Sequence, residues 1–248
     1  GIDAPGAAIV NTTDLIIKAT GAVRLNTAVT TLSAQSVSEG GIVISESNGI
    51  TINQLSTVKG SISIFSALGS LIVSSSGTGV SAAGGNVVLQ AAGTVQQDAN
   101  ITTAGGSVYL NSTTAGITMS AGTQTVTNNG NVRYAAATGI AVSVINAGTG
   151  SVSLVAAGGT ITDQNTTTLN ITAAGLRIES SGSVGTGTDP LEISVDTLAV
   201  QSGGSIYLSE LNGVIIGSLT VTVQYQNSNL STTTVTDVSI AGLKTTGG

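Results

Sequence analysis

A short pattern of a glycine, a small residue and two apolar residues separated by one position recurs along most of the chain. It is clearest in Gly105-Gly106-Ser107-Val108-Tyr109-Leu110. The glycines that precede these stretches are residues 21, 41, 60, 85, 106, 130, 150, 175 and 204, at intervals of 20, 19, 25, 21, 24, 20, 25 and 29 residues. Repeats of this length indicate a solenoid, in which each unit buries its apolar face by stacking on its neighbours.

Each repeat contains two further strand-like stretches. Gly116-Ile117-Thr118-Met119 follows the clearest copy of the pattern, and a weaker stretch, Gln124-Thr125-Val126-Thr127, comes after it. Three strands of three to five residues with short turns occupy about 20 to 25 residues. The sequence therefore predicts an all-β fold, a parallel β-helix of about nine coils of roughly 19–29 residues with three short strands per coil. We expect residues 1–248 to form a single continuous solenoid, a segment of a longer repetitive protein.

Alternate residues of a strand point to opposite faces of its sheet. In the clearest repeat, Val108 and Leu110 are expected to face the core while Tyr109 faces outward. Stacking of the coils would align the outward residues into a column along the rod. The predicted column consists of Arg24, Val43, Ser63, Val88, Tyr109, Arg133, Ser153, Arg177 and Tyr207.

The composition excludes several classes of function. The chain has 12 acidic and 6 basic residues, a formal net charge of −6, which opposes binding to the phosphates of nucleic acids. It has no cysteine and no histidine, so disulfides, thiolate metal sites and histidine chemistry are excluded. Because no apolar run exceeds four residues, we expect no membrane insertion.

No catalytic or metal-binding constellation is evident. The acidic residues are scattered, whereas β-helix enzymes that cleave polysaccharides need clustered carboxylates. Calcium-binding solenoids use a Gly-Gly-x-Gly-x-Asp repeat that does not occur here. Asp98 and Asp163 follow second-strand glycines and are expected to cap turns. We predict that the protein is not an enzyme and has no catalytic residues, cofactor or metal.

The repeats resemble the shafts of filamentous haemagglutinin-type bacterial exoproteins. The similarity covers about residues 21–217 and is carried by the repeat above, by Gly158-Gly159-Thr160-Ile161-Thr162-Asp163 and by Leu169-Asn170-Ile171-Thr172-Ala173-Ala174-Gly175-Leu176. This resemblance implies a right-handed parallel β-helix in a secreted, cell-surface adhesin. The secretion domain of that family carries an Asn-Pro-Asn motif, which Asn48-Gly49-Ile50 does not match. The resemblance therefore implies that this segment belongs to the shaft and not to the secretion domain.

The predicted function is therefore that of a structural or adhesive shaft, or a fibre component, which mediates attachment or assembly outside the cell. Its expected partners are a receptor or glycan on a host or neighbouring cell and, end to end, other copies of itself. Tyrosine and arginine are favoured at interaction hot spots and can stack on sugars. The possible surface-binding ridge consists of Arg24, Tyr109, Arg133, Arg177 and Tyr207.

Two alternatives remain open at this stage. One is a β-helix that binds carbohydrate or degrades polysaccharide. The other is an ice-binding solenoid, which would need Thr-x-Thr pairs on one flat face in successive coils. Such pairs occur at Thr125/Thr127, Thr160/Thr162, Thr220/Thr222 and Thr232/Thr234.

Overall fold

The structure, a computed structural model, describes residues 1–4, 6 and 9–247. These residues form strands and turns and contain no helix, so none is present that could cross a membrane. The fold is a right-handed parallel β-helix of about ten coils. The predicted fold class is confirmed, and the structure has about one coil more than the number predicted from the glycine spacing.

The strands are numbered in chain order, and most are three to five residues long. Strands β1 to β28 are Ile2–Ala4, Val10–Ala19, Val23–Ser36, Ile42–Glu46, Ile50–Thr57, Ile62–Ser66, Leu71–Val73, Gly79–Ala82, Val87–Ala91, Val95–Gln97, Ile101–Thr103, Val108–Ser112, Ile117–Met119, Gln124–Val126, Val132–Ala136, Ile140–Val142, Val144–Asn146, Ser151–Ala156, Ile161–Asp163, Ile171–Ser180, Leu191–Ser202, Leu208–Glu210, Ile215–Ile216, Ser218–Leu219, Thr222–Gln226, Thr232–Thr236, Ile240–Ala241 and Leu243–Thr245.

Most of the strands stack into three faces, and within a face each strand pairs in parallel with its counterparts in the neighbouring coils. The first face contains β4, β6, β9, β12, β15 and β18. The second contains β7, β10, β13, β16 and β19, and the third contains β8, β11, β14 and β17. The longer strands β3, β5, β20 and β21 bend around corners and contribute to more than one face.

The core consists of inward side chains aligned in columns. On the first face, two columns run through the coils from β3 to β21. One is Val23, Ile42, Ile62, Val87, Val108, Val132, Val152, Leu176 and Leu198, and the other is Leu25, Ile44, Ile64, Leu89, Leu110, Tyr134, Leu154, Ile178 and Val200. Nearly all are completely buried. The inward positions predicted from the two-residue alternation are therefore confirmed.

A stack of glycines forms the corner that leads into the first face. A β-carbon on Gly106 would lie 2.0 Å from the carbonyl oxygen of Gly85 in the preceding coil, and one on Gly130 would lie 2.1 Å from that of Gly106. Neither glycine has a positive φ, so backbone proximity between coils is what requires glycine here.

The last coil is offset from the position predicted for it. Gly175 pairs with Thr197, 22 residues later, so the interval of 29 residues that ends at Gly204 does not correspond to a coil. Ile206 instead forms a bridge to Val184, which bridges Ile161 of the second face. The stretch around Gly204 resembles the others because the same alternation serves any face of the solenoid.

Residues 218–241 depart from a continuous solenoid and form the C-terminal hairpin. Its arms are β25 and β26, which pair antiparallel from Thr222 with Thr236 to Gln226 with Thr232. At its base, β24 pairs with β27. The chain then rejoins the solenoid through β28, which pairs with the end of β21.

Candidate binding face

The predicted outward column exists on the first face from Arg24 to Arg177. Each member lies beside the next in the order Arg24, Val43, Ser63, Val88, Tyr109, Arg133, Ser153 and Arg177. The next position belongs to Ala199, not to Tyr207. The prediction that placed Tyr207 in this column is wrong, because its repeat lies across the second and third faces: Ile206 continues the second face, and β22 pairs with the part of β21 that continues the third.

The column is not an open surface, because the C-terminal hairpin covers it. Val43, Ser63, Val88 and Ser153 are completely buried. Hydrogen bonds fix the direction of the hairpin: Asn131 Nδ2 donates to the Thr222 carbonyl at 2.9 Å, and the Gln224 amide donates to Ser107 Oγ at 3.0 Å. Asn131 and Ser107 belong to successive coils, so the hairpin strands run along the axis of the rod.

Aromatic side chains form the apolar part of the contact. Tyr225 of the hairpin packs against Phe65 and Tyr109, with ring centroids 5.8 and 6.0 Å apart. Val223 is 1% exposed and joins the cluster of Val88 and Tyr109. Burial of this apolar surface favours the docked hairpin.

An ion pair lies deep in the same contact. Nε and Nη2 of Arg133 each lie 2.8 Å from Asp237 Oδ1, and the two side chains are only 13% and 3% exposed. The guanidinium also lies over the Tyr109 ring, with its Cζ atom 5.2 Å from the ring centroid. Arg133 and Tyr109 are thus engaged within the chain, in a contact that combines an ion pair with a cation–π interaction.

The other three residues of the predicted ridge lie in different surroundings. Arg177 is 1% exposed, donates from Nε to the Val238 carbonyl at 3.0 Å and from Nη2 to Glu179 at 2.6 Å. Arg24 lies near the N-terminal end of the rod with Nε 3.0 Å from Asp3 Oδ1. Tyr207 is 41% exposed. The structure therefore does not bring the five residues together: Tyr109 and Arg133 are in contact, and Arg177 lies two coils further along the column. These three residues contact the hairpin, whereas Arg24 and Tyr207 lie elsewhere.

Burial of the tyrosines at this contact changes their acidity. Desolvation raises the pKa of Tyr109 above its usual value of 10.0, with the charge of Asp237 acting in the same direction and Arg133 acting against it. Desolvation also raises the pKa of Tyr225, and the neighbouring Tyr109 adds to the shift. Both phenols stay protonated at neutral pH, so their role in this face is packing and hydrogen bonding.

The Thr-x-Thr pairs do not form a common face. Thr125 and Thr127 are completely buried in the interior of the third face. Thr160 and Thr162 follow on the second face, Thr220 and Thr222 lie near the start of the hairpin, and Thr232 and Thr234 lie on its outer arm. These pairs therefore do not supply the flat threonine array that an ice-binding surface needs.

The hairpin is the part of this face that sequence analysis missed. Two runs rich in residues that favour strands, Thr-Val-Gln-Tyr-Gln at 222–226 and Thr-Thr-Thr-Val-Thr at 232–236, are separated by five residues rich in Asn and Ser, which is a hairpin signal. A second signal lies in the column itself. Val43, Val88 and Tyr109 make it too apolar for a solvated face, which indicates that another part of the chain covers it.

Comparison with known proteins finds no match for this chain among protein-family models, curated proteins or solved structures. The fold and the covered face define its class as a parallel β-solenoid whose first face is covered by a hairpin from its own C-terminal region.

Proposed function

We propose that this protein is a structural shaft of an extracellular bacterial surface protein, which holds adhesive parts away from the cell or assembles into fibres. The observation that carries the proposal is the unbroken stacking of the first-face columns from Val23 to Leu198. Most of the chain is thus committed to one stiff rod. At the ~4.8 Å spacing of adjacent strands, about ten coils give a rod roughly 50 Å long.

The C-terminal hairpin supports a mechanical role. It makes side-chain contacts from Ser63 on one coil to Arg177 five coils further along the rod. In an uncovered solenoid each coil contacts only its neighbours, so coils can separate singly. A brace that crosses several coils opposes bending and separation, as a shaft under load requires.

Attachment through the exposed ends or surface is part of the proposal. The residues available for contact with a receptor, a glycan or another copy are those that the hairpin leaves free, such as Tyr207. Each terminal coil also presents strand edges that pair on one side only, as the outermost β2 and β28 do in the described part of the chain. Such edges can add further strands in parallel.

Electron microscopy of the purified chain at neutral pH, over a range of concentrations, tests this function. We expect rods about 50 Å long, or unbranched filaments with a ~4.8 Å axial repeat if the ends stack. Beads coated with the chain should attach to cells or glycan surfaces if it also adheres, and Tyr207→Ser should weaken that attachment if Tyr207 takes part. Compact particles with no elongation, or turnover of a polysaccharide by the purified chain, would contradict the shaft proposal.

A further inference from the structure

A groove lies between the C-terminal hairpin and the corner that leads into the first face. We call it the amide groove, because four of its eight lining residues carry side-chain amides. It has a volume of about 250 Å³ and is lined by Asn86, Gly105, Ser107, Asn129, Gly130, Asn131, Thr222 and Gln224. The hairpin forms one wall, and the turns that precede β9, β12 and β15 in three successive coils form the other.

The chemistry of the lining favours a neutral, polar ligand. None of the eight residues is charged, so none can pair with a charge on a ligand, and none is aromatic or a large aliphatic residue. A side-chain amide has an acceptor oxygen beside a nitrogen that carries two donor hydrogens, and a hydroxyl group both donates and accepts. Amides are therefore well suited to the neighbouring hydroxyl groups of a sugar ring.

Asn86 is held in place through its oxygen. Asn86 Oδ1 accepts hydrogen bonds from the backbone amide of Ser107 at 2.8 Å and from Ser107 Oγ at 3.1 Å. Ser107 is only 7% exposed, and its Oγ also accepts from the Gln224 amide of the hairpin. Among the described residues, the Nδ2 group of Asn86 donates to no protein group. The side chain is thus fixed while its two donor hydrogens stay available.

Asn129 takes the place of a glycine. The register of β12 and β15 aligns it with Gly105 of the preceding coil, which has a φ of 95°. Asn129 has a φ of 83°, a conformation that is unfavourable for most residues with a side chain and that occurs often at functional sites. Its Oδ1 accepts from the Thr149 amide at 2.9 Å, and its Nδ2 group has no partner in the described part of the chain.

The hairpin completes the groove. Asn131 uses both ends of its amide, since Nδ2 donates to the Thr222 carbonyl and Oδ1 accepts from the Ser151 amide at 2.8 Å. It therefore fixes the distance between the two walls. Gln224 is exposed, and its side chain forms no hydrogen bond within the described residues. A groove whose walls are already fixed loses little conformational entropy when a ligand binds.

We propose that the amide groove binds a neutral glycan and that Asn86, Asn129 and Gln224 contact its hydroxyl groups. This inference rests on the attachment role proposed above, and it names the class of ligand and the place where it binds. The groove is smaller than the clefts of about 300–1,000 Å³ that enclose drug-sized ligands, so it has room for only a small part of a glycan. It is distinct from the predicted ridge, whose Tyr109 and Arg133 the hairpin covers.

An array of neutral and acidic oligosaccharides, probed with the full chain displayed on streptavidin, tests this site. Display of several copies compensates for the weak affinity expected of a small groove. We expect binding to a subset of the neutral oligosaccharides. Calorimetric titration of the chain with the neutral oligosaccharide that binds best should then show saturable binding.

The variants Asn86→Ser and Asn129→Gly remove two of the three amides with little disturbance. Serine stands at the position of Asn86 in the neighbouring coils, where Ser61 Oγ accepts from the Asn86 amide, and glycine suits the positive φ of Asn129. The double variant should raise the dissociation constant at least about tenfold, because each lost hydrogen bond contributes about 0.5–1.5 kcal/mol. Gln224→Ser provides a second test if far-ultraviolet circular dichroism shows that the double variant does not fold.

Asn111→Ser is the matched control. Asn111 lies within β12 on the first face and does not line the groove, so this variant should bind as the wild type does. Unchanged binding by the folded double variant, or binding confined to sialylated or sulfated oligosaccharides, would overturn the proposal. Rods about 50 Å long that bind no arrayed glycan would overturn the glycan site and leave the shaft intact. Compact particles that bind glycan through these amides would do the reverse.

Discussion

Tyr134 is the one aromatic residue in the core columns of the first face, and its hydroxyl is fully buried. The hydroxyl is 3.0 Å from Gln97 Oε1 and 2.6 Å from Thr125 Oγ1, and Gln97 Nε2 donates to the Gln124 carbonyl at 3.0 Å. A polar group inside a solenoid is tolerated when every donor and acceptor is used. In this network each side-chain oxygen has a partner, and the bonds link three successive coils.

The ionisation of Tyr134 provides a test of its burial. Desolvation raises the pKa of Tyr134 well above its usual value of 10.0, against a smaller opposite effect of its hydrogen bond to Thr125. The unfolded chain loses this proton near pH 10 and the folded chain keeps it. The unfolded state therefore binds fewer protons above pH 10, and the free energy of unfolding falls as pH rises further.

We expect ultraviolet titration of the folded chain to show one phenol that ionises only as the protein unfolds. Tyr134→Phe should remove this last phase, whereas Tyr207→Phe, a change at a partly exposed position, should leave it in place. Ionisation of all the tyrosines near pH 10, before any loss of the far-ultraviolet signal, would contradict the burial of Tyr134.

At the residue scale, alternation predicted which way most side chains point but not what covers them. Val108 and Leu110 face the core as expected, and Tyr109 faces away from it. Tyr109 is nevertheless only 6% exposed, because Tyr225, which lies far along the chain, packs against it. A local period of two carries no information on contacts of such sequence separation.

At the scale of the strand and corner, the glycine stack limits how closely coils approach. Gly106→Ala would place a methyl group 2.0 Å from the Gly85 carbonyl oxygen. Since the obstacle is backbone, the coils must move apart, and we expect a loss of about 3 kcal/mol in the free energy of unfolding, measured in urea.

Gly187→Ala is the control for this substitution. Its β-carbon would meet only the Tyr207 side chain, at 3.4 Å, and no positive φ is involved. We expect a change within about 0.5 kcal/mol. If the two variants were equally stable, close approach of the coils would not explain the glycine stack.

The boundaries of the strands were predictable where glycines mark the corners. They were least predictable where a copy of the repeat lies on a different face from the earlier copies. The stretch around Gly204 has the same sequence pattern as the first-face repeats, yet Leu198 and Val200 occupy the first-face positions of that coil. The alternation fits either face equally well, so only pairing with the preceding coil decides the register. Tyr207 was displaced from the predicted column for this reason.

At the scale of the whole molecule, the pair of Arg133 and Asp237 joins positions 104 residues apart. Asp237→Asn removes the negative charge from a nearly buried ion pair and leaves the Arg133 charge without its counterpart. Hydrogen bonds to charged groups contribute about 1.5–3 kcal/mol, so we expect docking of the hairpin to weaken by about 2 kcal/mol. Faster hydrogen exchange in β25, with the exchange of β12 and β15 less affected, would be the sign of this change.

Glu39→Gln serves as the control, because its partner Lys59 is exposed and the pair lies outside the hairpin contact. Pairs of this kind contribute little to stability. Exchange in β25 should therefore match that of the wild type. Equal exchange in the Asp237 and Glu39 variants would indicate that the ion pair does not hold the hairpin.

The hairpin also constrains the order in which the parts of the molecule can fold. A stack of repeats can start folding at any coil and grow in either direction, since each coil needs only its neighbour. The groove that receives the hairpin, from Phe65 to Arg177, exists only when all the coils between them are in register. We therefore expect Tyr225 and Asp237 to dock only after the coils between Phe65 and Arg177 have stacked in register.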